Sequence, residues 1–467
     1  MLAWLMDSNC ALRLARNKQM IQYYFIVCAF ALSIFFVRFD GYIVNLAMPT
    51  FVNYFSVSIS RASWISVAYI LSQVSTIMLF GKLCDKLEIK KIFIYGLVVF
   101  TASSLFCGIS PNFWFLIASR CLQGVGGSMM LVSSYAAMVS YLPREKVGWG
   151  LGIMTVSAAL GVLLGPVAGG FIIHYLNWHW VFLINIPLGL LGLVFGQMVI
   201  PHIASPNKFS RKDVDIRGVI FSTAALFLLL YAMNIIDEVK LSSPIVWVAL
   251  FFSVVFFVVF YLEEKRSTCP LIDLKLFNNR DFALVILSTV AGFLLFFGGS
   301  FLIPFYLTEK GLRPDQIGLI LTVFSLVYMP IGLYAGTLSD KITPRKIVCL
   351  AMLLAAITGF TFSGLLNQYG ICAAVVYLVM LAVSYGLFFA PINHYIMNFA
   401  DADNRGSVSA LYNTSLNISM ALGVVLLETI YSEFSISSKG FQAAFFAGGA
   451  CCLIAFCVLG FLVRDKT

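Results

Sequence analysis

Fourteen stretches of about twenty apolar residues, separated by short polar loops, run through the chain, and no other feature limits its fold so severely. A hydrocarbon layer about 30 Å thick takes about 20 helical residues to cross, and lipid offers no partner to an unpaired backbone group, so each stretch reads as a membrane helix. The limits are 21–51, 62–81, 92–109, 113–141, 149–173, 181–200, 218–237, 244–262, 282–308, 317–338, 347–366, 371–398, 407–431 and 441–463. Only 11% of the residues are charged and mean hydropathy is +0.95, which excludes the water-facing surface of the three or so soluble domains that 467 residues would otherwise suggest. The expected fold class is therefore an all-α polytopic membrane protein. The first run follows Arg13, Arg16 and Lys18 as a signal peptide would, but it continues to Pro49 without a small-residue cleavage site and is read as a retained span.

Basic residues orient the spans. The amino-terminal segment, every second loop after it and the tail hold 23 of the 30 Lys and Arg; the alternate loops hold five (Arg61, Lys240, Lys310, Arg313 and Lys439), and Arg38 and Arg120 lie inside spans. Cytoplasmic loops are enriched in this way, so both termini are expected in the cytoplasm. The net charge of +9 is then a topology signal; a nucleic-acid footprint would cluster on one element. Eleven cysteines, mostly within apolar runs and without a CxxC pair, read as small buried hydrophobes. Of four scattered histidines only His174 and His179 are close, and no acid or thiol joins them in sequence, so no metal site is expected.

The chain repeats itself. GKLCDKLEIKK from Gly81 is echoed by GTLSDKITPRK from Gly336, and SAALGVLL from Ser157 by SMALGVVL from Ser419, at offsets of 255 and 262. Two matches in the same order at nearly one offset indicate duplication. Duplicated halves with a binding site at their interface are the architecture of alternating-access transporters. The expected division is a cytoplasmic segment 1–20, a six-helix bundle 21–200, a linker 201–281 carrying two extra membrane helices, a second six-helix bundle 282–463 and a cytoplasmic tail 464–467.

Charges in the hydrocarbon region cost several kcal/mol unless paired or wet, which makes intramembrane ionisable residues functional candidates. Asp40 lies ten residues before Thr50 and Arg120 nine after Pro111, about 15 and 13 Å by helical rise from one side, hence at similar depth. A carboxylate whose ion pair is made and broken can carry a proton; Asp40 is the candidate, with Arg120 or Arg38 as partner, and a permanent packing salt bridge is the plainer reading. Glu428, near the outer end of span 13, fits snorkelling to the interface as well as function. His394 reads as interfacial. Gly161, Gly165, Pro166, Gly169 and Gly170 put small residues four apart around a helix bend, and the second copy has lost the Gly-Pro, which favours function over packing alone. Asp85 among Lys82, Lys86, Lys90 and Lys91 is placed to hold one face shut from the loop after Gly81, as is Asp340 in the second copy. Asn45, Gln123, Phe297, Phe301 and Glu428 are assigned to a substrate cavity; for Phe297 and Phe301, as for Phe293 and Phe296 of the same aromatic run, lipid contact or packing is the plainer reading.

Together these segments resemble the major facilitator superfamily, and within it the fourteen-span drug:proton antiporters, over nearly the whole chain. Gly81, Asp85, Lys86, Lys90 and Lys91 are similar to the family's loop motif, with Glu88 where a glycine and Ile89 where a basic residue is usual. Leu116, Arg120, Gln123, Gly124 and Gly126 resemble the span-4 motif associated with proton coupling, and the span-5 glycines with Pro166 the antiporter motif that uptake relatives generally lack. Asp40, Ile43, Val44, Asn45, Ala47 and Pro49 resemble the span-1 motif; Trp180, Phe182, Asn185, Pro187 and Gly189 resemble the span-6 motif, with His179 in place of an arginine. Arg38 lies outside the usual pattern. The resemblance implies a major facilitator fold of two six-helix bundles plus two central helices.

The expected function is a proton-coupled exporter of amphiphilic organic compounds, multi-pass in a bacterial inner membrane. It would use the proton motive force and no cofactor; its partners would be a small organic substrate, protons and the bilayer, with room for a periplasmic adaptor protein, and no nucleic acid. Asp40 would exchange the proton, Arg120 would tune it, and the span-5 glycines would shape an outer seal. The alternatives are a dedicated exporter of one endogenous metabolite such as a siderophore, with Arg38 suiting an anionic one, and a receptor or scaffold that no longer transports. An enzyme is not expected, because no loop is long enough for a catalytic domain and no nucleophile and base pair stands out.

Overall fold

The computed structural model describes residues 2–202, 215–239, 243–267, 274–339, 341–399, 405–434 and 438–463, and the long elements among them are helices. In chain order these are α1 (Leu2–Phe55), α2 (Ile59–Lys86), α3 (Ile89–Gly108), α4 (Phe113–Tyr141), α5 (Arg144–Tyr175), α6 (His179–Leu183), α7 (Asn185–Val199), α8 (Ile216–Val239), α9 (Pro244–Arg266), α10 (Arg280–Glu309), α11 (Pro314–Ser339), α12 (Pro344–Met397), α13 (Arg405–Glu433) and α14 (Ser438–Cys457). Thirteen stretches among the described residues are long and apolar enough to cross a membrane. The remaining one, α2, is long enough at 28 residues but rich in hydroxyls. Those hydroxyls are satisfied on their own helix: Ser72, Ser75 and Thr76 donate to the carbonyls four residues back at 2.9, 2.6 and 2.7 Å, so a helix enclosed by protein tolerates them.

Two helices depart from simple rods. Helix α12 has 54 residues, about 80 Å if straight, more than twice a bilayer. Gly370, at φ 49° and ψ −120°, breaks it into two spans, and the Tyr306 hydroxyl donates to the carbonyls of Leu366 and Gly370 at 3.0 and 3.1 Å across the break. Span 6 divides into α6 and α7 because Pro187 has no N–H to return to the Leu183 carbonyl. The segment before span 1 continues α1 as helix from Leu2. Residues 203–214, 240–242 and 268–273 of the linker and the tail 464–467 lie outside the described residues.

Helix neighbours fall into two groups. In one, α1 lies along α5, α2 and α3 lie along α4, and α7 closes on α1 and α3; in the other, α10 lies along α13, α11 along α12, and α14 along α10 and α12. The groups meet where α5 faces α11 and α2 faces α13. Helix α8 touches both α2 and α13, and α9 is held by α8.

The repeat has a structural counterpart at single residues. Lys90, at the start of α3, is buried and donates to the Gln197 carbonyl at 2.9 Å in the last turn of α7. Arg345, 255 positions later at the start of α12, donates to the Leu459 and Gly460 carbonyls at 2.8 and 3.0 Å beyond α14. Each cation closes the carbonyl end of the last helix of its group, where unpaired C=O groups and the helix dipole favour positive charge. Likewise Gly161 abuts the α1 backbone at Phe35 and Phe39, and Gly423 abuts the α10 backbone at Leu294 and Gly298. Of the nine cysteines whose side chains are described, Cys28, Cys121, Cys372 and Cys457 are exposed, which corrects the expectation of burial for those four: a thiol is apolar enough to face lipid as well as core.

Candidate functional site

Asp40 sits at the centre of a closed polar cage. Its Oδ2 is 2.7 Å from Arg120 Nη1, while Oδ1 accepts from Gln123 Nε2 at 2.9 Å and from Asn185 Nδ2 at 2.7 Å. Three elements are needed: α1 supplies the acid, α4 supplies Arg120 and Gln123 one turn apart, and the break before α7 sets Asn185 in its first turn. Arg120 has further partners, donating through Nε to the Ile65 carbonyl at 3.0 Å and through Nη1 to Gln123 Oε1 at 2.6 Å, with its guanidinium 4.2 Å from the centre of the Tyr69 ring. Gln123 also donates to Ser104 Oγ at 2.8 Å. Asp40, Arg120, Gln123 and Asn185 are at most 2% exposed. A buried ion pair is tolerable only with its remaining hydrogen-bonding capacity met, and here most of it is. Protonating Asp40 would remove the charge that holds Arg120 and turn one acceptor oxygen into a donor, so the cage has a built-in alternative state.

Arg38 does not join it. Two residues along a helix are about 200° apart in rotation, so Arg38 and Asp40 leave α1 on opposite faces. Among the described residues Arg38 makes no hydrogen bond or ion pair. It is partly buried.

The span-5 motif has two faces. Gly161, Gly165 and Gly169 lie four apart against α1, where a Cβ would fall 2.9 Å from Arg38 Cβ, 2.9 Å from Tyr42 Cβ and 2.8 Å from Ile43 Cγ1 respectively. Gly170 turns to α11, where a Cβ would fall 2.5 Å from the Pro314 carbonyl, and one on Gly318 would collide with the Pro166 carbonyl. The two groups of helices therefore touch backbone to backbone at this end. The same end carries Asp315 3.9 Å from His174 Nδ1 and paired at 3.1 Å with Arg313, so an acid does approach His174, from the other group and out of sight of local spacing. At the opposite end of α5, a Cβ on Gly148 or Gly152 would meet nothing within 4 Å. His179 Nδ1 lies 2.7 Å from the Gly108 carbonyl, and no metal-binding cluster occurs among the described residues.

Between the groups lies a small cavity of about 40 Å³, whose walls include Tyr42, Asn45, Val162, Pro166, Phe324 and Ser325. Pro166 leaves the Val162 carbonyl without its helical donor, which gives the cavity wall an acceptor. Such a space holds a few waters, against several hundred Å³ for organic ligands, so cargo requires the groups to move apart. Of the residues assigned to a cavity from sequence, Asn45 lines this one and accepts from Ser66 at 3.0 Å. Gln123 is corrected to the Asp40 cage. Phe301 is fully buried against Phe305, because helix rotation turns it into the second group's own core, and Phe297, half-buried, packs on Phe293 and Phe296 at the edge of that core.

Glu428 does not snorkel. It is fully buried and accepts from Ser60 Oγ at 2.7 Å across the two groups. Asn234 of α8 completes the cluster, donating to the Ser60 carbonyl at 2.9 Å and Ser63 Oγ at 3.1 Å and accepting from Trp64 Nε1 at 2.7 Å. Asn234 escaped sequence reasoning, although an amide inside an apolar run was the available signal. His394 Nδ1 lies 3.3 Å from Ser339 Oγ. In the loop motif Lys90 has the capping role given above, and Glu88 binds His202 at 2.5 Å and Lys91 at 3.3 Å. Gly81 lies 3.9 Å from Val132 through a notional Cβ, and Lys86 ends α2. The side chain of Asp85 and the whole of Asp340 lie outside the described residues.

The sequence pattern of the Major Facilitator Superfamily matches residues 30–271 and 284–467. The chain is 29% identical to the riboflavin transporter RibZ of Clostridioides difficile (strain 630) over 91% of each chain. It is 28% identical to MdtD of Escherichia coli O139:H28 (strain E24377A / ETEC), a protein named for multidrug resistance, over 86% of this chain and 85% of that one. Among solved structures, a POT family transporter in complex with 5-aminolevulinic acid has a TM-score of 0.73 at 14% identity, covering 94% of this chain and 96% of the other, a likeness of fold alone.

Proposed function

The chain belongs to the Major Facilitator Superfamily, whose members are transporters and not enzymes, and from that premise we propose that it is a proton-coupled exporter of amphiphilic organic compounds. The observation that carries this reading is the Asp40 cage. A carboxylate sealed in the first group of helices, on the same helix as cavity-lining Asn45, can pass its protonation state to the cargo space without touching cargo. Loss of the Asp40 charge frees Arg120, Gln123 and Asn185 together, and α1, α4 and α7 can then repack; differential binding of a proton by two conformations is what moves an equilibrium. With the basic loops assigned to the cytoplasm of a bacterial inner membrane by their charge, the backbone contacts of Gly170 and Gly318 form the outer seal. Two bundles, 21–200 and 282–463, would rock about that seam, with α8 as a strap on both.

The test is movement of an amphiphile such as ethidium in proteoliposomes with an imposed pH difference. Asp40→Asn is expected to abolish pH-driven movement while the protein still inserts; unchanged movement removes Asp40 from the mechanism. Export of one endogenous metabolite is the second reading, favoured by Arg38, which no acid pairs with among the described residues, and by a relative named for a single metabolite, riboflavin. Resistance to several unrelated cationic dyes would favour the broad exporter, and no resistance together with loss of one secreted product the dedicated one.

A further inference from the structure

An arginine halfway along a membrane helix must find an anion, water or a ring of acceptors, because its charge is expensive in a low-dielectric seam. Among the described residues no acid pairs with Arg38. Asp40 points the other way into Arg120, and Glu428 is engaged by Ser60. Gly161 lets α5 close directly onto the Arg38 Cβ, so Arg38 leaves α1 on the face turned to α5, the helix that meets α11 of the other group. The groups around it are phenols from both halves: Tyr42 one turn further along α1, Tyr328 of α11 and Tyr412 of α13. The Arg38 charge acts on all three, as it does on Tyr69 of α2, and Tyr42 acts on Tyr328 and Tyr328 on Tyr412. Tyr412 donates to the Phe389 carbonyl at 3.5 Å. The hydroxyls of Tyr42 and Tyr328 have no hydrogen-bond partner among the described residues. Tyr42 is also a wall of the cavity, and Tyr328 stacks on Phe324, another wall, with ring centres 5.4 Å apart.

The cluster thus offers donors and no acidic side chain: a planar five-donor guanidinium, two open phenol O–H groups and a flat aromatic surface one turn away. Planar donors suit a carboxylate, sulfonate or phosphate bidentately. A cation placed here would meet like charge in a poorly screened site.

We propose that the seam at Arg38, Tyr42 and Tyr328 is the cargo-binding site for an organic anion with an aromatic body, the acidic group on Arg38 and the ring between Tyr42 and the Phe324–Tyr328 pair. This deepens the reading of the chain as an exporter and rests on cargo passing between the two groups of helices. It narrows amphiphilic cargo to the anionic class. Because the phenols come from both groups, the bound anion also bridges them, and it is held best when both lie near the seam.

The test uses three probes of one shape, 2-naphthoate, 2-naphthamide and 2-naphthylmethylammonium, titrated onto the purified full-length protein in nanodiscs with protein-free nanodiscs subtracted. Wild type is expected to bind the carboxylate about 10- to 100-fold more tightly than the amide, the effect of one charge-assisted hydrogen bond, and the ammonium weakest. Arg38→Gln should remove the preference for naphthoate over naphthamide without weakening the amide, and Arg38→Lys should restore part of it. Equal binding of the three probes by wild type, or an unchanged preference in Arg38→Gln, overturns the proposal, and the wild-type series decides even if the variant misfolds. Binding here needs no pH gradient. An anion preference without pH-driven transport therefore counts against proton coupling alone, and pH-driven transport without an anion preference counts against this site alone.

Discussion

Ser60 of α2 and Glu428 of α13 are joined by a hydrogen bond of 2.7 Å across the seam between the two groups of helices, with Glu428 wholly enclosed. The bond exists only while that end is closed, and Asn234 of α8 grips the same Ser60 through its carbonyl. A buried bond to a carboxyl group is worth about 1.5–3 kcal/mol, enough to shift a two-state equilibrium roughly 10- to 100-fold.

Glu428→Leu and Ser60→Ala should accordingly open that end. Spin labels at Tyr54 and Phe434, both exposed there, would read it. The expected result is a longer, broader distance distribution in either variant and no further change in the double variant, since both remove one bond. An unaltered distribution in both would show that the backbone contacts alone hold the end shut.

The Asp40–Arg120 pair should behave as a unit. Removing either partner leaves the other charge buried, a loss of about 3–5 kcal/mol. Arg120→Gln is expected to lower thermal stability sharply, and Asp40→Asn/Arg120→Gln together to be less damaging than the sum, because no charge is then stranded. Thermal unfolding in detergent across the four proteins gives the coupling. Strict additivity would mean that the pair is wet, contrary to its enclosure.

Glycines at the α5–α11 contact and at the opposite end of α5 should behave differently. Gly318→Val and Gly170→Val put side chains into opposing backbone, so they should prevent closure of that end and reduce transport about tenfold or more, with the label distances lengthened. Gly152→Ala meets open space and should transport like wild type. Equal transport in Gly318→Val would show that closure of this seam is not part of the cycle.

Part of this arrangement is legible in the sequence itself. The depths of Asp40 and Arg120 follow from counting residues in from Thr50 and Pro111, because helical rise is fixed, so their meeting was legible. The separation of Arg38 from Asp40 was equally available, since it is only helical rotation. Asn185 was visible as part of a motif, but its bond to Asp40 depends on the break that Pro187 makes and on where α7 docks. Glu428 lies near a span end, where snorkelling is normal; that α2 and α8 cover it is a tertiary fact that no local pattern contains. Phe301 and Phe297 show the limit most plainly: on a helix apolar all round, period does not tell core from cavity.

Glu88, between α2 and α3, gives a pH test outside the membrane spans. Burial against the loop pushes its carboxyl up, but the hydrogen bonds and charges of His202 and Lys91 outweigh that and hold it below its ordinary value of 4.5. A carboxyl depressed by folding contributes stability that is fully present above the unfolded value and is lost as pH falls through the folded one. The contact ties the start of α3 to the chain leaving α7, beside Lys90. Amide exchange at residues 87–91 and 197–202 should therefore be slow and flat from pH 7 to about 5, once corrected for intrinsic rates, and should accelerate below 4.5 as Glu88 protonates. Glu88→Gln should exchange faster at neutral pH and lose the acid-dependent step. A step of the same size in Glu88→Gln would assign the acid sensitivity to another carboxyl, with Asp85 next in the loop.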